Sequence, residues 1–383
     1  MKKRVLFYCQ AVFGIGHYVR SRAIVNALHD FEVCFVFGGT LPEGLARPQC
    51  AQFVLLPALQ MDEITKVVMA GEAAQEMEKL KGERKNKLLE WQQNFRPDII
   101  IIELFPFGRH KFAFELLPLL EQVRRQSPQT KIVCSLRDIL VSKRDPVQFE
   151  KETRRIVRQY FDLVLVHSDP DWQLLDATFT SVPQIADRIR YTGFVASSTE
   201  ACEVKSPGES KRVLVSVGGG RVGGELIEYA VAAEKLLSEP DLHRLHLVCG
   251  PHYPAMDFER IRNAVADRKR ITLEKFSPDL LAAMQRYDLS LSRAGYNTCL
   301  DILASGIRAI VVPYIGEGQS EQWLRARKLS DAGRVKLLLP DDLSAERVAE
   351  AIRQSWHTSF QNIALNLNGA QATANIIQAL SRL

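Results

Sequence analysis

The sequence predicts an α/β protein built from two doubly wound, parallel-sheet domains. Three observations carry that expectation. Runs that are apolar throughout, such as Ile99 to Ile102 and Ala309 to Val312, alternate with helical periodicity along the whole chain. Continuous runs of this kind belong to strands covered on both faces. Several of them are followed by glycine turns, directly at Gly218 to Gly224 and Arg293-Ala294-Gly295 and five residues on at Gly14-Ile15-Gly16. The third observation is length: 383 residues exceed one ordinary core, and roughly 150 residues per domain gives two or slightly more. Ala196 to Lys211, with Ser, Thr, Pro and several charges, is the best linker. It separates a first domain, 1–197, from a second, 209–360, and leaves a helical tail at 363–383.

The elements follow in order. Arg4 to Cys9 is the first strand, and Tyr18 to Leu28 a helix burying Val19, Ala23, Ile24, Ala27 and Leu28. Glu32 to Phe37 and Phe53 to Leu56 are strands; Glu72 to Phe95 is a long charged helix, interrupted near Gly82. Ile99 to Ile102, Lys131 to Leu136, Asp162 to His167 and Arg190 to Thr192 continue the sheet, with a helix around Pro118 from Phe112 to Arg125. The second half repeats the pattern. Strands are expected at Val213 to Val217, His246 to Cys249, Ile271 to Leu273, Asp288 to Ser292, Arg308 to Val312 and Arg334 to Leu339. Helices are expected at Glu225 to Leu237, Tyr296 to Ala304 and Ser344 to Trp356, and Ser277-Pro278 reads as a cap and first helical residue.

Composition excludes several classes. Apolar content of 46% with 25% charged residues is that of a soluble globular protein. No run of about 18 apolar residues could span a bilayer. Met1 to Arg4 leads into a strand and a glycine turn, not into the core of a secretory leader. The seven cysteines include no C-x-x-C pair, and Cys9, Cys34, Cys134 and Cys249 fall in apolar runs. They read as reduced core residues of a cytoplasmic protein, without disulfides or metal. The net charge of +5 is mild, and its basic clusters, Lys79 to Lys87 among them, mostly read as solvated helix faces. Contact with anionic headgroups at the inner membrane face is the lesser expectation. Nucleic acid is not expected.

In parallel sheets ligands bind beyond the carboxyl ends of the strands. His17 follows the first strand at a glycine turn, where an imidazole either caps a helix or serves as a general base. The turn lacks the third glycine of a dinucleotide fingerprint, and Gly38-Gly39, not an acid, ends the second strand, so NAD is not expected. Glu103 with Phe105 to Lys111, Arg137-Asp138, and His167 to Asp169 follow other strands. Arg109, His110, Lys111 and Arg137 make either a pocket for an acceptor with anionic groups or an ordinary surface with a local ion pair. Five glycines among Gly218 to Gly224 imply close backbone approach to a ligand. The P-loop lysine is missing, which argues against ATP hydrolysis. A diphosphate held between Gly218-Gly219-Gly220 and Ala294-Gly295 accounts for both turns, since helix N-termini favour phosphate. Asn297 and Asp301 share a helical face from which an acid could hold a ribose diol. No D-x-D site with further ligands occurs, so no metal is expected.

The block Ser292-Arg293-Ala294-Gly295, Asp301 to Gly306, Val312-Pro313 and Glu321-Gln322-Trp323 resembles the donor-nucleotide motif of GT-B glycosyltransferases, the MurG type above all. Gly14-Ile15-Gly16-His17 with Arg20 resembles the N-terminal motif of that type and of PseG-type UDP-sugar hydrolases. The resemblance implies two Rossmann-like domains facing across a cleft, with the tail helix returning to the first. It implies a UDP-sugar donor, UDP-N-acetylglucosamine first, and neither cofactor nor metal. Donor contacts would come from Gly14, Gly16, Gly218, Gly219, Gly220, Arg221, Phe276, Ser277, Arg293, Ala294, Gly295, Asn297, Thr298, Asp301, Glu321 and Gln322. Phe276 and Ser277 would meet uracil, Asp301 the ribose, Glu321 and Gln322 the sugar hydroxyls. His17 would take the proton of an acceptor hydroxyl during an inverting attack, with Arg20, Arg109 and Arg137 on the acceptor side. A hydrolase in which His17 activates water, and a non-catalytic sugar-nucleotide-binding protein, are the alternatives. Two departures are visible. Gly220 stands where the MurG type usually has a hydroxyl residue, and Phe194 to Ser197 replaces the continuation from Thr192-Gly193 to an arginine. The acceptor is therefore expected to be a hydroxyl compound, lipid-linked or not, other than the peptidoglycan precursor.

Overall fold

Four isoleucines in a row, Ile99 to Ile102, can all be buried only if both faces of their strand are covered, and all four are fully buried. The structure is a computed structural model that describes residues 2–11, 15–59, 72–141, 144–197, 203–204, 206, 208–316 and 320–382. It divides into two compact units, Met1–Val195 with Asn368–Leu383, and Ala196–Leu367.

In the first unit β1 (Arg4–Gln10), α1 (Gly16–Ala27), β2 (Glu32–Gly38), β3 (Gln52–Leu56), α2 (Glu72–Phe95) and β4 (Ile99–Glu103) come first. Then follow α3 (Ala113–Gln126), β5 (Lys131–Arg137), α4 (Pro146–Tyr160), β6 (Leu163–His167) and β7 (Ile189–Tyr191). The sheet order is β3-β2-β1-β4-β5-β6-β7, parallel throughout. Order reverses between β1 and β4. That switch point is where a doubly wound sheet opens a crevice for ligands.

The second unit contains β8 (Arg212–Ser216), α5 (Gly224–Glu234), β9 (Arg244–Val248), α6 (Ala255–Val265), β10 (Ile271–Glu274), α7 (Leu280–Met284) and β11 (Leu289–Arg293). It continues with α8 (Tyr296–Ser305), β12 (Arg308–Val312), α9 (Glu321–Asp331), β13 (Lys336–Leu337) and α10 (Ala345–His357). Its parallel sheet runs β10-β9-β8-β11-β12-β13, with the switch point between β8 and β11. The last helix, α11 (Gly369–Leu380), belongs to the first unit and packs on α1. A Cβ at Gly369 would lie 2.5 Å from the Gly193 carbonyl oxygen, so glycine permits that approach.

Several elements differ from expectation, each for a physical reason. The helix α1 buries Tyr18, Arg20, Ser21, Ile24 and Val25 rather than a face containing Val19, Ala23 and Ala27. An ion pair rotates it: the Arg20 guanidinium is drawn inward onto Glu103. The helix α2 runs through Gly82 unbroken. A glycine costs a helix only about 1 kcal/mol, and two residues on, Arg84 anchors the helix by a buried ion pair to Glu115 at 2.6 Å. Asp279, not Ser277, caps α7, accepting from the Ala282 N–H at 2.9 Å. The tail is not helical from 363; its helix begins at Gly369. Cys249 falls just beyond β9 and is nonetheless buried. Helix α4 carries no long apolar run, yet Asp145 caps it, Pro146 starts it, and Thr153, Ile156, Val157 and Tyr160 bury one stripe.

Candidate functional site

The chain after β1 enters α1 at Gly16, which places His17 in the first turn of that helix. Glu103 ends β4, the strand paired with β1. Their side chains meet at the switch point: His17 Nδ1 lies 2.7 Å from Glu103 Oε1. The same carboxylate oxygen accepts from Arg20, and Arg109 Nε stands 3.9 Å from the other oxygen. Glu103 is fully buried, while His17 keeps a fifth of its side chain exposed. Burial alone would raise the Glu103 pKa, but His17, Arg20 and Arg109 hold it down at about 2. Burial pushes the His17 imidazole down to about 3, against the opposing pull of Glu103, and Arg109 and Arg20 add to the fall. At neutral pH this is an uncharged imidazole beside a carboxylate. With Nδ1–H donating to Glu103, Nε2 carries the free lone pair and is a proton acceptor.

The rest of the neighbourhood is polar and filled. Arg109 holds a left-handed backbone, φ 59°, at the start of a short 3-10 turn, and its guanidinium is affected by that of Arg137 at the end of β5. Behind them Ser135 Oγ and Thr192 Oγ1 bracket the buried His167 at 2.7 and 2.9 Å. Burial and Arg20 lower the His167 pKa to about 3, so it is a neutral spacer. Arg20 itself is only 3% exposed, its guanidinium engaged with Glu103 rather than offered to solvent. Gly14 lies outside the described residues.

In the second unit the glycine loop leaves β8 and the Ala294-Gly295 turn leaves β11, strands paired through Ser216 and Ser292, so both turns stand at one edge of the sheet. Gly218 and Gly220 have φ of +65° and +82°. A Cβ on Gly220 would sit 2.5 Å from the Cys249 carbonyl oxygen, which leaves no room for a hydroxyl side chain at this position. Arg293, 4% exposed, lies under the loop: its Nε would be 2.4 Å from a Cβ on Gly223, and it pairs with Glu225. Arg293 thus braces the loop, where a direct donor contact was expected. Gly295 is the N-cap of α8, and Arg325 donates to the Ala294 carbonyl at 3.2 Å with its guanidinium over the Tyr296 ring. Arg221 is exposed beside the loop, Asn297, Phe276 and Ser277 are half-buried, and Thr298 is buried. Glu321 and Gln322 open α9, and Gln322 Oε1 accepts from the Tyr314 N–H at 3.0 Å.

Asp301 is nine-tenths buried and accepts a 3.0 Å hydrogen bond from Ser197 in the interdomain segment. Burial, against Ser197 and with help from Asp279, raises its pKa to about 7. A buried acid with a raised pKa costs stability once the unfolded chain ionises, so the penalty starts near pH 4, grows with pH and levels off above about 7. Asp301→Asn is therefore expected to raise the thermal midpoint clearly at pH 7.5 and scarcely at pH 4. Equal shifts at the two pH values would show that Asp301 is not a buried, ionisable carboxyl.

Among the described residues no group of three or more His, Cys, Asp or Glu side chains could hold a metal ion. No helix among them is long and apolar enough to cross a membrane.

Residues 214–380 match the model of the glycosyltransferase family 28 C-terminal domain. The UDP-N-acetylglucosamine--N-acetylmuramyl-(pentapeptide) pyrophosphoryl-undecaprenol N-acetylglucosamine transferase of Burkholderia lata is 29% identical over 170 residues, 44% of this chain and 46% of that protein. Its counterpart from Thermodesulfovibrio yellowstonii is 27% identical over 148 residues, 38% of this chain and 40% of that protein. The chain is thus matched over less than half the length of these curated relatives. Solved structures align over nearly the whole chain. The calicheamicin glycosyltransferase CalG4 gives a TM-score of 0.61 at 14% identity, covering 99% of this chain and 98% of that one. MurG of Acinetobacter baumannii gives 0.55 at 16% identity, covering 100% of both. The fold is that of GT-B glycosyltransferases, and the second unit is related to the MurG type. The two curated relatives and CalG4 are named as transferases, and the likeness to PseG-type hydrolases finds no counterpart among them.

Proposed function

We propose that this protein is a metal-independent, inverting glycosyltransferase that moves a hexose, N-acetylglucosamine first, from a UDP-sugar to a hydroxyl acceptor. The observation that carries the proposal is the pair His17–Glu103, 2.7 Å apart at a switch point. A neutral imidazole with one nitrogen held by a carboxylate is built to receive a proton at the other. In this reading His17 Nε2 takes the acceptor proton, the acceptor oxygen attacks the anomeric carbon, and the C–O bond to the diphosphate breaks with inversion. The UDP leaving group gathers negative charge, which the glycine-loop N–H groups and the amino end of α8 stabilise. Asp301 accepts from the ribose diol once Ser197 yields it, and Phe276 and Ser277 frame the uracil. The match of residues 214–380 supports the donor half of this reading. Arg109 and Arg137 remain the acceptor-side candidates, and a lipid-linked acceptor is in keeping with the pyrophosphoryl-undecaprenol of the relatives' printed names.

The test is turnover with labelled UDP-sugars, with and without cell lipid extract or water-soluble hydroxyl acceptors. Sugar transfer to an acceptor is the expected result. Stoichiometric UDP release with no acceptor would favour a hydrolase, and tight binding without any release a nucleotide sensor; either would overturn the proposal.

A further inference from the structure

We propose that His252 is a second, proton-dependent arm of the diphosphate site, so that this protein takes up a proton when its donor binds. The inference rests on the reading that the glycine loop receives the donor's diphosphate. Its basis is the way two turns interlock. The turn after β9, Gly250 to Tyr253, presses into the loop after β8: a Cβ on Gly250 would lie 2.4 Å from the Gly218 carbonyl oxygen and 2.6 Å from the Gly220 nitrogen. A Cβ on Gly220 would lie 2.8 Å from the Tyr253 nitrogen. The His252 N–H donates to the Gly219 carbonyl at 3.0 Å, so its backbone is fixed one hydrogen bond from the loop. Arg221, an exposed residue of the loop itself, is close enough to act on the His252 ring. Two cation-capable side chains therefore lie near one another beside a stretch of backbone, Gly218 to Gly220, that has no side chains of its own.

Among the described residues the neighbouring charges are engaged elsewhere. Arg260 of α6 pairs with Glu228 of α5 at 2.6 Å and with Asp257 at 3.0 Å, and these three bear on Tyr253. Glu274 of β10 lies 3.2 Å from His246. Arg221 is the charged group that bears on His252, and burial first, then Arg221, lowers its pKa below the ordinary 6.5. In the free protein at pH 7 the ring is neutral. A diphosphate on the loop beside both residues reverses the sign of the local field and restores the proton. Affinity should then rise as pH falls through the bound-state pKa, and flatten below the free-state one.

The experiment is calorimetric titration of the full chain with UDP-N-acetylglucosamine, whose diphosphate has no ionisation near neutrality, in buffers of different ionisation heat at pH 6 and 8. Wild-type protein should take up protons and bind more tightly at pH 6 by up to about tenfold, the scale of one pKa unit. His252→Gln should lose the uptake attributable to this ring and bind at pH 6 as weakly as wild type at pH 8. His252→Lys, with a fixed charge, should bind tightly at both. Wild-type binding with proton uptake and affinity unchanged in His252→Gln would overturn the His252 assignment and leave the donor reading intact. Failure of wild-type protein to bind any uridine diphosphate would overturn both.

Discussion

His17→Ala is expected to lower turnover by about 10²–10⁴-fold, the range for removing a general base, while UDP affinity stays within about twofold of wild type. The separation follows from where the groups lie. His17 stands in the first unit, and the glycine loop, α8 and Asp301 proposed to hold UDP stand in the second. The pH profile sharpens the test. An imidazole pushed to about 3 by burial stays an uncharged base through the acid side of neutrality. The acid limb of kcat at saturating donor, where Asp301 and His252 are already engaged, should therefore lie well below pH 6.5, and a limb at the ordinary imidazole value would show a solvated ring unlike this one. Full activity in His17→Ala would remove the residue from the mechanism.

Much of the scaffold could be read from the chain because burial on both sheet faces forces continuous apolar runs, and those runs became strands. The glycine run at 218–224 pointed to close backbone approach by a ligand; the approach on view is that of another turn, Gly220 and Gly250 allowing two backbones closer than any Cβ would permit. What escaped was long-range and polar. Glu103 stands at a strand end where ligand-facing residues gather, but nothing in the sequence joins it to His17, 86 positions away. The contact of Ser197 with Asp301 spans 104 positions and was equally hidden. The α1 face was misjudged because apolar periodicity does not register an arginine drawn inward by a buried acid. The setting of Arg293 was hidden for a related reason. A basic residue before a phosphate-binding turn looks like a ligand contact, yet here its guanidinium is buried under Gly223 and bound to Glu225.

That same buried acid supports the other large expectation. Glu103→Ala removes the carboxylate that Arg20 and His17 share, and Arg20 cannot reach solvent without repacking α1. Breaking a buried ion pair by deleting one partner costs about 3–5 kcal/mol, so a marked fall in thermal midpoint is expected. That fall alone would not separate support of the fold from support of His17. Glu103→Gln does so, because its amide oxygen can still accept from His17 Nδ1 or Arg20, though without charge. It should retain more of the stability than Glu103→Ala, yet lose about 10–100-fold in kcat with KM little changed, since what is lost is stabilisation of the imidazolium that forms only as the proton arrives. The pairing also fixes a sign. With the carboxylate gone, Arg20 and Arg109 still face the ring, and any titration of His17 should move further toward acid. A Glu103→Gln enzyme with wild-type kcat would confine Glu103 to holding α1 against β4 and leave His17 to act without a carboxylate behind it.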